Sequence, residues 1–321
     1  MDLRQLRYFL AIAEEGSFLA AARRLAIAQP SLSQHVIRLE TELGVQLLER
    51  SSRGVVLTES GQILVKHAKT IIRASDDAVA DLRDRASEPR GPVSFGLPSS
   101  VGMILSVPLA ETVRNDLPKV TLRAMDAMSG HVQSWLSEGT IDLGILYDVN
   151  AVRHLKVQPL LVEDLFLVAA PDAWPHPVKS NGVACEPVTL EECGKLRMIR
   201  PSRSHGLREM IERFAKAHGV SLEVAVEMDS LTQIKELVAR GSGFSVLAHA
   251  ATQREVAKKE LVLVPIRSPA IRRTVYLIRN PARHVTRAVL EVERLTIEIV
   301  RELVRKGYWW GQLTGDPPSS L

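Results

Sequence analysis

The stretch Ala28–Glu40, AQPSLSQHVIRLE, decides how the N-terminal part of this chain is read. Pro30 and Ser31 mark a helix start, because proline suits a first-turn position whose N–H has no intrahelical partner. Leu32, Val36, Leu39 and Leu43 follow at steps of four, three and four, which aligns them as one apolar stripe. The opposite face carries Ser31, Ser33, Gln34 and Arg38. These side chains donate and accept hydrogen bonds and bear no negative charge, so the face suits a major groove whose base edges it can read. An ordinary amphipathic surface helix has the same periodicity, and the flanks must separate the two readings.

Upstream, Leu3, Leu6, Phe9, Leu10 and Ala13 share one face of a helix running from about Leu3 to Glu15. Gly16 stops it and Ser17 caps the next helix, Phe18 to Leu25, where Ala21 and Ala22 let a neighbour approach closely. A short turn, Ala26 to Gln29, leads into the stretch above, which completes a helix-turn-helix. Downstream, Leu47-Leu48 and Val55-Val56-Leu57 are β-like runs around the polar loop Arg50-Ser51-Ser52-Arg53-Gly54. They read as a two-stranded wing that brings Arg50 and Arg53 to phosphates or a minor groove. The groove-facing set is then Gln29, Pro30, Ser31, Ser33, Gln34 and Arg38, with Arg50 and Arg53 on the wing.

Thr58 and Glu59 open a further helix. Leu64, Ala68, Ile71, Ser75, Ala78 and Leu82 recur at 4-3-4-3-4, a heptad seam. A helix packed on its own domain would share that pattern. Charged residues on the other faces, such as Lys66, Lys69, Arg73, Asp77 and Asp84, favour a solvent-exposed dimerisation coil over residues 59–86.

The whole chain is 45% hydrophobic with a net charge of +4, which fits a soluble protein of two or three domains and only weakly suggests nucleic acid. Within the first sixty residues Arg4, Arg7, Arg23, Arg24, Arg38, Arg50 and Arg53 are matched by Asp2, Glu14, Glu15, Glu40, Glu42, Glu49 and Glu59. Any DNA binding there must rest on placed arginines rather than on bulk charge. No uncharged apolar run spans a bilayer, and MDLRQLRYF lacks a secretory apolar region. With Cys185 and Cys193 in neither metal nor disulfide spacing, the expected compartment is the cytoplasm and the thiols are expected to be plain.

Residues 87–92 form a polar hinge with two prolines and a glycine. Beyond it strands and helices alternate over 93–306, from Val93–Leu97 through Val120–Ala124, Asp142–Tyr147 and Leu165–Ala169 to Thr274–Ile278. That alternation predicts α/β units with mostly parallel sheets. The last helix, Val285 to Arg305, repeats Val285, Val289, Val292, Leu295, Ile299 and Leu303 and should pack back on the first lobe. Residues 307–321 are expected to be a poorly ordered tail. Ligands of such sheets sit at the carboxyl ends of strands. There Pro98-Ser99-Ser100, Ser129-Gly130 and the loop Pro201–Gly206, containing Ser202, precede helices and suit an anion. Simple N-capping would equally place serines before helices.

Leu3-Arg4-Gln5-Leu6-Arg7-Tyr8-Phe9, Gly16-Ser17-Phe18, Gln29-Pro30-Ser31-Leu32-Ser33, Leu47-Leu48-Glu49-Arg50 and Leu57-Thr58-Glu59-Ser60-Gly61 together resemble the LysR-type transcriptional regulators. Tyr8-Phe9, Ile27-Ala28-Gln29-Pro30 and Arg53-Gly54-Val55 further resemble their nitrogen assimilation control branch. The resemblance implies an N-terminal all-α winged helix-turn-helix over 1–58 and two α/β lobes like periplasmic binding proteins. It implies double-stranded DNA as partner, a small-molecule effector in the cleft between the lobes, self-association to a homotetramer, and RNA polymerase as a further partner. It places Ser99, Ser100, Ser129, Tyr147, Ser202, Phe244 and Leu247 at the effector cleft. In the nitrogen-control branch activity need not depend on an effector, which would leave the cleft vestigial. Ala26, Ala28 and His35 depart from the family's usual residues and bear on operator contacts.

The sequence carries no GxGxxG opening a βαβ unit, no P-loop, no HExxH and no nucleophile elbow. His205, His218 and His249 lack ligand spacing, and Asp126 and Asp142 stand apart. The expectation is therefore a regulator and not an enzyme, with no cofactor or metal. A solute-binding protein built on residues 93–300 is the alternative, opposed by the complete DNA-binding pattern.

Overall fold

The computed structural model describes the chain except residues 52–53, 85–87, 150–151, 153–154, 203–205, 282–284 and 316–321. Two compact units emerge, one formed by Met1–Glu88 and Glu138–Thr140 and one formed by Pro89–Ser137 and Ile141–Leu321. Their boundary falls inside the stretch expected to be a hinge.

In the first unit α1 (Leu3–Glu15) starts on a capping box, with the Gln5 N–H donating to Asp2 Oδ1 and the Asp2 N–H to Gln5 Oε1, both at 2.8 Å. Gly16, at φ +60, ends it, and α2 (Phe18–Arg24) starts at Ser17. The quoted stretch forms α3 (Gln29–Leu43), with Pro30 in its first turn and Gly44 at φ +69 after its end. Strands β1 (Leu48–Ser51) and β2 (Gly54–Leu57) pair antiparallel as the wing. Phe9, Ile12, Phe18, Ala21, Leu32, Val36, Leu39 and Leu47 close a core between the three helices and the wing. Helix α4 (Glu59–Asp84) leaves the wing at Gly61, where an added Cβ would lie 2.1 Å from the Leu47 carbonyl oxygen. Only glycine permits that approach.

The heptad reading of α4 needs division. Leu64 packs on the core of its own domain and Ala68 is fully buried, so the first part of the seam closes this domain. Arg7 also pairs with Asp76 at 2.5 Å, tying α1 to α4. Ile71 and Val79 stay 38% and 45% exposed, which leaves an apolar stripe uncovered farther along. Leu82 lies outside the residues whose side chains are described.

The second unit contains β3 (Gly91–Leu97), α5 (Ser99–Asp116), β4 (Val120–Asp126), α6 (Ser129–Glu138), β5 (Leu143–Leu146) and β6 (Lys156–Ala169). It continues through β7 (Val188–Thr189), α7 (Leu190–Gly194), β8 (Met198–Arg200), α8 (Gly206–Ala217), β9 (Val224–Glu227) and α9 (Leu231–Ala239). The last elements are β10 (Ser245–Ala248), α10 (His249–Ala257), β11 (Val262–Arg267), β12 (Arg272–Arg279), α11 (Arg287–Arg305) and β13 (Gln312–Leu313). The main sheet runs β4-β3-β5-β12-β6-β11-β7, with β10 and β13 also on β6, and β8 and β9 pair separately.

The expectation of mostly parallel sheets is corrected. Only β3–β4, β3–β5, β8–β9 and β11–β7 pair parallel among these strands, while β12 and β6 run antiparallel to their neighbours. The 14-residue β6 serves both lobes: Lys156–Asp164 pairs with β12, and Leu165–Ala169 with β10 and β11. Its first half is hard to read in sequence because Pro159 and the Glu163-Asp164 pair look like strand breakers. Pro159, which has no N–H, sits where the β6–β12 register shifts between Val275 and Tyr276.

One lobe centres on Phe95, Leu97, Leu105, Leu109, Leu277, Val292 and Leu295, so α11 does pack on the first lobe. The other centres on Leu167, Ile199, Ile234, Val238, Val246 and Leu263. The expected disordered tail is also corrected. After α11 the chain turns at Gly307, buries Trp309 completely and adds β13 to β6 opposite Leu161 and Val162. A large indole with a buried acceptor in reach orders a segment that composition alone marks as loose. Residues 316–321 lie outside the described residues.

Candidate functional site

Helix α3 buries Leu32, Val36 and Leu39 and turns Gln29, Pro30, Ser31, Gln34 and Arg38 to solvent, with Ser33 half-buried. Its N-cap, Ala28, offers no side-chain oxygen to the first-turn N–H groups. That end of the helix therefore presents free donors and positive dipole, suited to a phosphate. Arg38 makes no ion pair with any described residue. Arg50 stands opposite Val55 in the wing. Its side chain, and all of Arg53, lie outside the described residues.

The second site is the cleft of the C-terminal unit, with about 570 Å³ of empty space partly open to solvent. Ser99, Ser100, Tyr147 and Leu247 line it. Ser202 is next to the lining Pro201, and its N–H donates to Asp229 at 2.8 Å. Ser129 opens α6 directly after the lining Met128, and its side chain is outside the described residues. Phe244 precedes β10, packs against the core of the second lobe and is not among the residues that line the cleft. Main-chain bonds hold it there, the Ile199 N–H donating to Phe244 O at 2.7 Å and the Phe244 N–H to Arg197 O at 3.0 Å.

The residue that organises the cleft was not singled out in the sequence. Arg273 on β12 stands directly opposite Glu163 on β6. The two are 4% and 1% exposed. Arg273 Nε donates to Glu163 Oε1 at 2.7 Å, and Trp309 Nε1 donates to Glu163 Oε2 at 2.8 Å. The guanidinium lies 3.7 Å over the Tyr147 ring centroid, and its Nη2 donates to Ser100 Oγ at 3.2 Å. Ser100 Oγ and Tyr147 Oη share a hydrogen bond at 2.7 Å, and Ser99 Oγ donates to Asp126 at 2.6 Å. Burial pushes the Tyr147 phenol above its ordinary value, so it is neutral at physiological pH. Burial opposes the charge of Arg273, but Tyr147 and Glu163 outweigh it and hold the guanidinium protonated. A sequence signal existed: Ile271, Arg273, Val275 and Leu277 alternate on one buried strand face, with Arg272 exposed between. Leu231, Ile234, Ala248 and Ala251 supply an apolar wall.

Beside that wall, His249 begins α10, buried, with its ring stacked on Trp310 at 3.8 Å and 2° between planes. Burial lowers its pKa to about 4. The unfolded chain binds a proton near pH 6.5 and the folded one only near 4. Stability from this site is therefore complete above about pH 6.5 and falls by about 3 kcal/mol as pH drops to 4. Urea unfolding at pH 7, 5 and 4 should show a slope that His249→Phe reduces; equal slopes in both proteins would refute the assignment.

Other candidates have structural employment. Asp142 accepts from the Ser94 N–H and Oγ at 2.8 and 2.7 Å, and the His218 ring hydrogen-bonds Phe214 O at 2.8 Å. His205 lies outside the described residues. Cys193 is buried, which pushes its thiol to about 12, and Cys185 is exposed. Among the described residues no group of three His, Cys, Asp or Glu is placed to hold a metal, and no helix is long and apolar enough to cross a membrane.

A winged helix-turn-helix with an open polar reading helix, joined to a two-lobed α/β unit with a cleft, defines a DNA-binding regulator with a ligand-sensing part. The bacterial regulatory helix-turn-helix protein, lysR family, matches residues 3–62, and the LysR substrate binding domain matches residues 86–302. The chain belongs to the LysR family of transcriptional regulators. It is 35% identical to the nitrogen assimilation regulatory protein nac of Klebsiella aerogenes, over 79% of this chain and 80% of that one. It is 31% identical to the dual regulator OxyR of Escherichia coli K12, over 88% and 90%. A full-length OxyR variant from Pseudomonas aeruginosa shares the fold at TM-score 0.73 and 23% identity, covering 99% of both chains. CbnR complexed with its target DNA does so at TM-score 0.68 and 20% identity, covering 94% of this chain and 99% of that one.

Proposed function

We propose that α3 reads a specific DNA site in the major groove, with Gln29, Ser31, Ser33, Gln34 and Arg38 toward bases and backbone and the wing arginines Arg50 and Arg53 on phosphates or the minor groove. The observation that carries this is the exposed polar side of the first part of α3, where Gln29, Ser31, Gln34 and Arg38 stand with no acid from Gln29 to Leu39, over a buried Leu32-Val36-Leu39 stripe. The uncovered stripe of Ile71 and Val79 on α4 supports pairing of two chains through residues 59–86, and the lobes complete a homotetramer. The assembly works in the cytoplasm and engages RNA polymerase at the promoter.

In the cleft, the uncapped N-termini of α5 and α10 and the Arg273 Nη1, which bonds to no described residue, support a small anionic effector. Glu163 neutralises Arg273, and Asp126 and Asp229 lie close by, which limits the ligand to about one negative charge. The effector acts by population shift, favouring one lobe arrangement and with it one spacing of the DNA-reading heads. One observation favours an effector-independent regulator instead: the hydroxyls of Ser99 and Ser100 already have partners within the cleft.

The test is binding of duplexes selected from the organism's own genome, followed by anisotropy. Gln34→Ala should cost about 1–3 kcal/mol on the selected site and little on random duplex. Arg53→Ala should weaken both and reduce the salt slope by about 1. Wild-type behaviour in both variants would remove the placement.

A further inference from the structure

A second cavity of the C-terminal unit shares no lining residue with the cleft. It holds about 670 Å³ of empty space, partly open to solvent, between the last turns of α11, the start of β6 and the segment ending in Thr314. Helix α11 presents Ile297, Arg301 and Arg305 to it, at positions i, i+4 and i+8, and so along one row. No aspartate or glutamate lines it.

The pairing along α11 makes this pair of arginines unusual. Arg294 is bound by Glu291 at 2.9 Å and Glu298 at 2.7 Å, and Lys306 by Glu302 at 2.5 Å. Among the described residues neither Arg301 nor Arg305 has a carboxylate within 4.0 Å. Like charges at i and i+4 repel, although the helix C-terminus tolerates cations. The opposite wall offers no counter-charge. Thr314 Oγ1 donates to Pro159 O at 2.8 Å and the Thr314 N–H to Leu160 O at 3.1 Å, so both carbonyls already have a donor. Gln158 reaches Pro159 O only at 3.5 Å, which leaves its amide free to turn toward a ligand.

We propose that this cavity binds a small doubly charged oxyanion of the phosphate class between the guanidinium groups of Arg301 and Arg305. Each guanidinium presents a planar fork of N–H donors that matches two oxygens, and two forks balance two charges. Leu313 and Thr314 form part of the wall, so the site exists only with the C-terminal segment folded on β6. Its occupant would hold that segment down. The proposal does not depend on the effector cleft.

The test is calorimetric titration of the full chain with inorganic phosphate and, separately, glycerol phosphate, in chloride buffers of matched ionic strength. The expected result is saturable binding that weakens with added salt. Arg301→Gln or Arg305→Gln should weaken it at least about tenfold, and the double variant should abolish it. Both side chains are exposed, so the double variant should melt like wild type without phosphate. Phosphate but not glycerol phosphate binding would assign the free ion, and binding of both a phosphate monoester. Absence of saturable heat, or heat unchanged in the double variant, overturns the proposal. So does a duplex DNA that binds through these arginines where phosphate does not.

Discussion

Glu163→Ala is expected to lower the unfolding free energy of the C-terminal unit by about 3–5 kcal/mol, and its melting temperature by about 6–20 °C. The change leaves the Arg273 guanidinium charged in a site with 4% exposure, facing, among the described residues, Ser100 Oγ and the Tyr147 ring. It also orphans the Trp309 indole N–H. Glu163 and Arg273 are both nearly fully buried, so solvent screening does not soften the loss. Replacing both partners, as in Glu163→Leu with Arg273→Met, should recover part of the stability, because the buried pair itself gains little over apolar packing while the Trp309 N–H stays without its acceptor. Urea unfolding followed by tryptophan fluorescence measures all three proteins. A single variant within about 1 kcal/mol of wild type would mean that water reaches the pair and that Arg273 is not the anchor of the cleft.

Trp309→Ala is expected to have an effect of the same size. Removing a fully buried indole from the first lobe should cost about 3–5 kcal/mol. The segment through β13 should then detach and become sensitive to limited proteolysis. Trp309→Phe keeps most of the packing and leaves Glu163 Oε2 without its donor, for about 1–3 kcal/mol. If Trp309→Ala unfolded like wild type and resisted protease, the segment after α11 would not be part of the core.

Much of the N-terminal unit was legible because its signals are short-range. Gly16, Ser17, Pro30 and Gly44 set the helix ends within a few residues of where they act. Leu32, Val36 and Leu39 face inward as their spacing requires, whereas Leu43, the last of the stripe, stays exposed at the helix end, and the polar residues left outside are the ones proposed to read DNA. The heptad of α4 was ambiguous for a physical reason. One apolar stripe serves its own domain at Leu64 and Ala68 and stays open at Ile71 and Val79, and periodicity does not say which neighbour covers it.

The effector cleft was half legible. Serines before helices pointed to Ser99 and Ser100, but Phe244 was drawn in by position relative to a family pattern and turns to its own lobe's core. Arg273 was passed over because an arginine in a strand reads as exposed until its partner is known. That partner is 110 residues away in sequence.

The sequence by itself determined the winged helix-turn-helix, the α/β alternation of the second unit and the family, since each rests on spacing or motifs within a few tens of residues. Tertiary structure alone decided that β6 serves both lobes, that Glu163 meets Arg273 beneath the cleft, and that Trp309 ties the C-terminal segment to that pair. These depend on strand register and on burial of charge, and a buried charge is tolerable only where a distant partner arrives to neutralise it.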